Sequence, residues 1–380
     1  MALNYDQPIP TSDVVAALAA NGYISTATLA AIEDLLNTDT SSSLSVAVIT
    51  VGEDGALEIT LPEGSSSAQA AFFNTLTGQT LDFNSASTGG GVFADTPVYV
   101  FTGNGNVNAV FNTVDRVIIG GEGNDSLVVL GDHNTTVDGG AGNDTIVTSG
   151  GNDSVSGGAG DDVVSTGSGN DTILTSSGND TIDAGANFDV IQLGLVSNYV
   201  LTDGELLVER DGAWVATRTD GTESIVRNAE QFIFTGEPGQ EDTVISFAET
   251  HEDAVALYLY EALLDRAADS EGADFWLDQL DHDNVSLTDI ANGFLASSEF
   301  STLNGSNINN DDFVDLLYEN LLGREARLDS EGKAFWFDQL EAGADRAELV
   351  VNFVELAMAN PVDETGIAQI IILGDDEQAS

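Results

Sequence analysis

Residues 139–147 read GGAGNDTIV, and the same order of a glycine-rich half-turn, an aspartate and an aliphatic residue recurs every nine residues up to position 192. The copies at 120–128, 139–147 and 157–165 begin with a glycine pair: GGEGNDSLV, GGAGNDTIV and GGAGDDVVS. TSGGNDSVS, TGSGNDTIL, TSSGNDTID and AGANFDVIQ lie between and after them. Seven copies, six of them in one unbroken phase from residue 139 to residue 192, argue against a polar low-complexity tract and indicate a repeat architecture.

The nine-residue period predicts a parallel β-solenoid. Glycine permits turn conformations that are closed to other residues, and each three-residue segment around the aliphatic position predicts a short strand whose central side chain points inward. Two copies complete one coil, so residues eighteen apart stack. The expected stacks are Asp144, Asp162 and Asp180 on one edge and Asp153, Asp171 and Asp189 on the other.

Stacked carboxylates repel one another unless a cation lies between them, and Ca²⁺ prefers carboxylate and carbonyl oxygens. The pattern resembles the RTX nonapeptide repeat, which implies a calcium β-roll. Several Ca²⁺ ions are expected, about four to six, one for each stacked pair. The candidate metal-binding residues are Asp125, Asp144, Asp153, Asp162, Asp171, Asp180 and Asp189, together with Gly120, Gly139 and Gly157.

Some copies depart from the pattern. Residues 130–138, LGDHNTTVD, follow a one-residue insertion and carry His133 and Thr135 where glycine and aspartate are expected, so this copy predicts no site of full affinity. In the last copy Asn187 replaces a turn glycine, which weakens the expected site between Asp171 and Asp189. Residues 102–110 and 111–119 keep the phase without the aspartate, and we expect them to form metal-free coils.

The composition indicates a folded and strongly acidic protein. Hydrophobic residues make up 42% of the 380-residue chain, which excludes wholesale disorder and allows two or three domains. Sixty-four acidic residues against nine basic ones give a formal net charge of −55, and the first basic residue is Arg116. Such a chain repels nucleic acid and anionic membrane surfaces. We therefore expect no nucleic-acid partner, no membrane insertion, and folding where calcium is abundant.

The resemblance also implies export from a bacterium. Residues 1–10, MALNYDQPIP, lack the features of a secretory signal peptide, and no apolar stretch is long enough to span a membrane. RTX proteins use an uncleaved C-terminal signal that a type I secretion machinery recognises, and the last stretch, GIAQIIILGDDEQAS, resembles such a signal. The chain has no cysteine, so metal is its only evident cross-link. A secreted, extracellular or cell-surface location is expected.

The regions outside the repeats differ from them in composition and in predicted secondary structure. Residues 12–21 and 25–37 predict a helical hairpin, residues 44–61 a β-hairpin that turns at 53–55, and residues 220–236 a strand segment that caps the solenoid. The predicted fold class is multidomain α+β, a calcium β-roll flanked by a small helical and β-hairpin region and a C-terminal all-α domain. The predicted domains are 1–43 helical hairpin, 44–92 β-hairpin and irregular, 93–192 solenoid, 193–248 cap, 249–361 helical, and 362–380 secretion-signal tail.

The C-terminal third is internally duplicated. LYEALLDRAADSEGADFWLDQL, from Leu259, returns as LYENLLGREARLDSEGKAFWFDQL, from Leu317. The pattern resembles an uncharacterised helical domain that accompanies RTX repeats and surface-layer proteins, distantly like phycobilisome linker repeats, and it implies an interaction domain. We expect Trp276 and Trp336 to pack in the core, with sugar stacking or a partner contact as the alternative. Arg266 and Arg324 each follow an apolar helix end and are expected to cap it or to bridge nearby acids.

The sequence contains none of the common catalytic motifs. His251-Glu252 lacks the second histidine of a zinc protease, and there is no G-x-S-x-G elbow, P-loop or cysteine nucleophile. We therefore expect a structural protein rather than an enzyme, one that self-assembles into a surface layer or an extracellular filament. The alternative is a calcium-dependent, adhesin-like module that binds polysaccharide or another cell-surface component.

Overall fold

The computed structural model describes most of the chain from residue 96 onward and shorter segments before it. The described residues are 9–10, 16, 28, 30–32, 43–44, 46–51, 57–60, 69–76, 78–85, 93, 96–112, 116–202, 204–240, 242–282, 285–322, 329–359 and 369–372. The chain divides into two compact units, Met1–Ala229 and Glu230–Ser380.

The first unit is built from two facing sheets, and from Ala70 to Leu195 their parallel strands alternate along the chain. One sheet contains, in spatial order, Leu57–Thr60, Val46–Val51, Ala70–Thr75, Val98–Gly103, Arg116–Ile119, Thr135–Asp138, Ser154–Ser156, Thr172–Leu174 and Val190–Leu195. The other contains Thr80–Asn84, Asn106–Asn112, Ser126–Leu130, Thr145–Val147, Val163–Ser165 and Asp180–Asp183. Ile9–Pro10 and Ser43–Leu44 form a separate antiparallel pair.

The strand register confirms the eighteen-residue coil. Ile146 pairs with Val164 and Val164 with Ile182, so the inward aliphatic positions of every second repeat stack. The opposite sheet stacks its aliphatic residues in the same way. These side chains are buried. The solenoid interior is thus a column of Ile, Leu and Val closed on two sides by short strands.

The parallel ladders begin upstream of residue 93, where the sequence predicted the solenoid to start. Val46–Val51 pairs in parallel with Ala70–Thr75, which pairs in parallel with Val98–Gly103. Val46–Val51 and Leu57–Thr60 pair antiparallel, as predicted for a β-hairpin, and the predicted turn at 53–55 lies outside the described residues. These upstream coils contain a buried aromatic cluster in place of the aspartate turns, formed by Phe73, Phe83, Phe93, Tyr99, Phe101 and Phe111.

An antiparallel meander follows the last repeat. Its strands are Leu207–Glu209, Trp214–Thr217 and Glu223–Arg227. The last of them pairs in parallel with Asp180–Asp183, so it covers the edge that the final coil of this sheet would otherwise expose. Of the predicted cap, residues 230–248 lie in the second unit.

The second unit is mainly helical. Its helices are His251–Leu264, Ser270–His282, Leu287–Leu295, Ser298–Asn304, Asn310–Leu322, Ser330–Glu341 and Arg346–Ala359. The strands Gln231–Thr235 and Thr243–Ala248 are antiparallel, and Gln369–Ile372 pairs in parallel with the second of them. The helix His251–Leu264 is buried along almost its whole length and contacts Asn310–Leu322 and Arg346–Ala359, so it forms the centre of this core.

The two halves of this unit repeat one aromatic arrangement. Tyr260 contacts Phe294, and Trp276 contacts the same ring, with centroid distances of 4.6 and 5.8 Å. In the second half Tyr318, Phe353 and Trp336 repeat these contacts at 5.2 and 5.3 Å. The internal duplication seen in the sequence is therefore also a duplication of the core.

Most of the predicted N-terminal helical hairpin lies outside the described residues, as do Arg324 and residues 362–368 and 373–380 of the predicted C-terminal tail. Ala16, Thr28 and residues 30–32 are helical. Among the described helices, none has the length and apolar character needed to cross a membrane.

Candidate metal sites

Aspartates of successive coils are linked to one another through the backbone. The N–H of Asp125 donates to Oδ1 of Asp144 (2.8 Å), that of Asp144 to Asp162 (2.9 Å), and that of Asp162 to Asp180 (3.3 Å). We call this row the glycine edge, because the repeats of Asp125, Asp144 and Asp162 begin with glycine, whereas the repeat of Asp180 begins with Thr175. On the opposite edge the N–H of Asp153 donates to Asp171 and that of Asp171 to Asp189, both at 2.8 Å. We call that row the threonine edge.

The second carboxylate oxygen of these aspartates is left for another partner. Oδ2 of Asp125, Asp144, Asp153, Asp162 and Asp171 is buried without a hydrogen-bond partner. Burial raises the pKa of each of these carboxyl groups, to about 7 for Asp125, Asp144, Asp153 and Asp162. An ionised carboxylate is costly to bury unless a cation or a hydrogen bond compensates its charge, so the rows need cations at neutral pH.

Glycine at the first position of a repeat opens a cradle beside this free oxygen. A Cβ on Gly139 would lie 2.5 Å from Oδ2 of Asp144 and would also overlap the carbonyl oxygen of Gly157 in the next coil. Gly120 has the same surroundings, 2.7 Å from Oδ2 of Asp125. A carboxylate oxygen and a carbonyl oxygen thus converge in a space kept open by glycine, and this is the donor set that Ca²⁺ prefers.

The threonine edge differs at the corresponding position. Thr148 and Thr166 replace the first glycine of the repeat, and the Thr148 hydroxyl donates to the carbonyl of Thr166 across 2.8 Å. The Thr166 hydroxyl donates in the same way to the carbonyl of Ala184. These carbonyl oxygens already accept a hydrogen bond from a side chain, so they are weaker candidates for metal ligation than the glycine carbonyls of the other edge.

The irregular repeats are accommodated in different ways. Thr135 occupies an aspartate position, and its N–H donates to Oδ1 of Asp153 (2.7 Å), so the row continues upstream without its carboxylate. Asn187 adopts the left-handed conformation, with φ 83°, that the missing glycine would adopt. Asparagine tolerates this region better than most residues, and the bond from Asp171 to Asp189 is preserved.

Beside each row runs a ladder of asparagines that the sequence analysis missed. At the position before the aspartate, the side-chain oxygen of one coil accepts the backbone N–H of the next. The N–H of Asn124 donates to Oδ1 of Asn106, that of Asn143 to Asn124, that of Asp161 to Asn143, and that of Asn179 to Asp161. Asn134, Asn152 and Asn170 form the matching ladder on the other edge. The recurrent Asn-Asp pair in the sequence could have predicted this ladder. The asparagine of each pair joins neighbouring coils, and the buried aspartate faces the cradle.

Asp180 ends the glycine edge next to a basic residue. A guanidinium nitrogen of Arg218 lies 3.6 Å from Oδ2 of Asp180, and both side chains are buried. Burial raises the pKa of Asp180 to about 6, and the charge of Arg218 opposes this rise. The end of the row therefore has a cation of its own.

The second unit contains one further acidic cluster among its described residues, formed by Asp311, Asp312 and Asp315. The Lys333 ammonium lies 3.0 Å from Asp311 and 2.7 Å from Asp315, so a side chain already balances this charge. As expected, Arg266 bridges acids, contacting Asp269 and Glu299.

The aromatic pairs of the duplicated helices are only partly buried. Phe275 and Phe335 occupy equivalent positions and are 54% and 55% exposed. Trp276 and Trp336 are half-buried beneath them and pack against the core phenylalanines. The tryptophans therefore pack against the core, as expected, without being fully buried, while the neighbouring phenylalanines form the exposed aromatic surface.

Comparison with known families agrees with this geometry. The RTX calcium-binding nonapeptide repeat matches residues 117–136, 129–164, 138–173 and 156–191, and a domain of unknown function (DUF4214) matches residues 245–304 and 291–357. Neither the curated proteins nor the solved structures contain a significant match. RTX repeats bind calcium, and proteins that contain them are typically secreted by bacteria. The chain therefore carries RTX calcium-binding nonapeptide repeats in its first unit and the helices of a DUF4214 domain in its second.

Proposed function

We propose that this chain is a secreted structural protein whose solenoid folds on calcium outside the cell. The observation that carries the proposal is the buried, unbonded Oδ2 in both rows, at Asp125, Asp144 and Asp162 on one edge and Asp153 and Asp171 on the other. Bound calcium supplies the positive charge that these carboxylates need when they ionise. The residues themselves fix the register through Oδ1 and present Oδ2 to the ion.

The calcium concentration differs between the inside and the outside of a cell, so the stability of the solenoid depends on where the chain is. Extracellular calcium modules bind with dissociation constants of about 0.1–1 mM, and a ligand that binds only the folded state stabilises it more as its free concentration rises. With a net charge of −55 the chain also repels itself. The interior of a cell therefore disfavours the fold, and a calcium-rich exterior favours it. Secretion through a type I machinery, with its signal after residue 361, suits such a protein.

The second part of the proposal is self-assembly into a surface layer or filament. It is supported by the exposed Phe275 and Phe335, two aromatic groups at equivalent positions of a duplicated domain. Calcium that neutralises the acidic surface lowers the repulsion between copies of the chain. A heterologous contact between such copies propagates, whereas a two-fold contact ends at a dimer.

The alternative function, an adhesin-like module, rests on the same two rings. Exposed aromatic side chains can stack on sugar rings, so a polysaccharide is the competing partner of this surface. The two functions differ in what binds the surface formed by Phe275 and Phe335, which is a second copy of the chain in the first case and a glycan in the second.

The test is a calcium titration of the full chain from zero to about 10 mM, followed by circular dichroism and light scattering, with magnesium as the matched control ion. We expect cooperative folding in calcium alone, followed by particles larger than a dimer that form ordered arrays in electron micrographs. Phe275→Ser with Phe335→Ser should leave the folding step unchanged and abolish growth. A chain that folds in calcium yet stays monomeric at high concentration contradicts self-assembly and favours the adhesin. A chain that does not respond to calcium contradicts the whole proposal.

A further inference from the structure

The glycine edge ends in an unusual way after Asp180. In the inner coils each aspartate is in register with another one coil later, as Asp144 is with Asp162. Asp180 is instead in register with Ser224, on the strand Glu223–Arg227 of the meander. The row therefore lacks the next carboxylate, and an ion between these two positions would have only one aspartate.

Arg218 occupies this terminal position. Its Nη1 donates to the carbonyl oxygen of Gly178 (3.1 Å), and its Nη2 donates to Oγ of Ser224 (3.0 Å) and lies 3.6 Å from Oδ2 of Asp180. Ser224 is completely buried and Arg218 is 8% exposed. The guanidinium therefore hydrogen-bonds a carbonyl and a hydroxyl oxygen and forms an ion pair with a carboxylate. The carboxylate and the carbonyl are oxygens that Ca²⁺ prefers as ligands.

Arg218 differs from Arg210, another arginine of the meander, in its position at the end of the glycine edge. The first unit contains four basic residues, Arg116, Arg210, Arg218 and Arg227. Arg210 lies on the same meander but is half-exposed and pairs with Glu223. A guanidinium is permanently charged at physiological pH, so it supplies positive charge at the end of the row whether or not calcium is present.

We propose that Arg218 is a built-in cation that takes the place of calcium at the last position of the glycine edge, between Asp180 and Ser224. It ends the row of ion positions and limits the number of ions that the solenoid binds. This inference rests on the proposed calcium function and adds to it a residue that sets the stoichiometry.

The test counts calcium ions bound to the full chain by native mass spectrometry at saturating calcium. Arg218→Gln removes the charge and leaves the three oxygens, so the variant should bind one ion more than the wild type. Arg218→Lys keeps the charge and should bind the wild-type number. Arg210→Gln is the matched control, since it removes the same charge from the same meander, and it should also bind the wild-type number.

Each outcome decides the proposal. An Arg218→Gln chain with the wild-type number of ions, or with fewer because the solenoid no longer closes, overturns it and makes Arg218 a packing residue of the meander. A gain in Arg218→Lys or in Arg210→Gln overturns it as well, because the effect would then not follow the charge at this position. If the wild type itself binds no calcium, the proposed function fails. The ion count of the wild type therefore tests the proposed function, and the difference between the wild type and Arg218→Gln tests the role of Arg218.

Discussion

The backbone N–H of Asp144 donates to Oδ1 of Asp162 across 2.9 Å, although the two residues are eighteen positions apart. One oxygen of each carboxylate thus joins two coils, while the other remains in the cradle beside a glycine. Removing the charge and removing the hydrogen bond are therefore separable changes, because asparagine keeps an oxygen acceptor and loses the charge.

Asp162→Asn should raise the calcium concentration at the folding midpoint by about tenfold or more, since Asp162 belongs to two stacked pairs and calcium affinity depends on ligand charge. The control is Asp161→Asn. Asp161 is exposed, accepts the N–H of Asn179 and occupies a position where other repeats have asparagine. The Asp161→Asn substitution removes the same formal charge as Asp162→Asn, one residue away. Circular dichroism across a calcium titration measures both midpoints, and equal shifts would show that only overall charge matters.

The two edges should respond unequally to the same change. Asp162→Asn lies in the middle of the glycine edge and Asp171→Asn in the middle of the threonine edge. Because the Thr148 hydroxyl already bonds the carbonyl of Thr166, we expect the change on the threonine edge to raise the calcium midpoint several-fold less. Isothermal titration calorimetry of the two variants provides the comparison. A larger effect at Asp171 would contradict the assignment of the tighter sites to the glycine edge.

The sequence predicted the repeated part of the fold because the nine-residue phase dictates its geometry. Strand positions, the eighteen-residue coil and the stacking of Asp144 on Asp162 follow from glycine turns and one inward aliphatic residue per repeat. The C-terminal duplication was equally visible, and the core shows it in Tyr260 and Tyr318. Both patterns are local, so a single sequence is enough to find them.

What the sequence did not show depends on contacts between distant residues. The upstream coils have no aspartate signature, and their aromatic residues, such as Phe83 and Phe111, have irregular spacing, so the solenoid was expected to start too late. The position of Arg218 beside Asp180 is set by the meander that brings two segments together across forty residues. No periodicity in the chain predicts such a contact.

Stability without calcium should fall as pH rises from about 4 to 7. The pKa values of Asp125, Asp144, Asp153 and Asp162 are raised from 3.8 to about 7 in the folded chain. In this window the folded state keeps protons that the unfolded state has released, so folding is favoured at low pH and this contribution is lost as pH passes through 7. Protons should also compete with calcium for the folded chain, so the calcium affinity of the folded state should fall as pH falls below 7.

Thermal unfolding in EDTA at pH 4.5, 6 and 8 tests this dependence, and isothermal titration calorimetry of the folded chain at pH 5 and 6 compares its calcium affinity. Asp162→Asn should show a weaker pH dependence than the wild type. Asp161→Asn should show a smaller reduction, since the charge of Asp161 only adds to the raised pKa values of Asp162 and Asp180. Stability in EDTA that increases between pH 4.5 and 7 would contradict the raised pKa values.

Calcium removal should unfold only part of the first unit. The coils at 139–192 contain the buried aspartates of both rows except Asp125. Residues 98–111 instead pack around Phe83 and Phe111, which contact each other at 5.7 Å without a carboxylate row. We expect EDTA to abolish amide hydrogen-exchange protection at 139–192 while residues 98–111 and the helix His251–Leu264 remain protected. Phe83→Ala, which should cost about 3–5 kcal/mol, should reduce protection upstream even in calcium. Uniform loss of protection in EDTA would contradict a separate aromatic core.

The glycine of the duplicated D-S-E-G sequence has a role that a double-mutant cycle can isolate. A Cβ on Gly272 would overlap the buried hydroxyl of Tyr260, and Gly332 has the same relationship to Tyr318. Gly272→Ala should therefore destabilise the second unit by about 1–3 kcal/mol, as overpacking does, although alanine favours the helix Ser270–His282 by about 1 kcal/mol. In a Tyr260→Phe background the overlap is relieved, so the same change should become neutral or stabilising. Urea unfolding at saturating calcium measures all four chains, and an equal loss in both backgrounds would show that the hydroxyl does not explain the glycine.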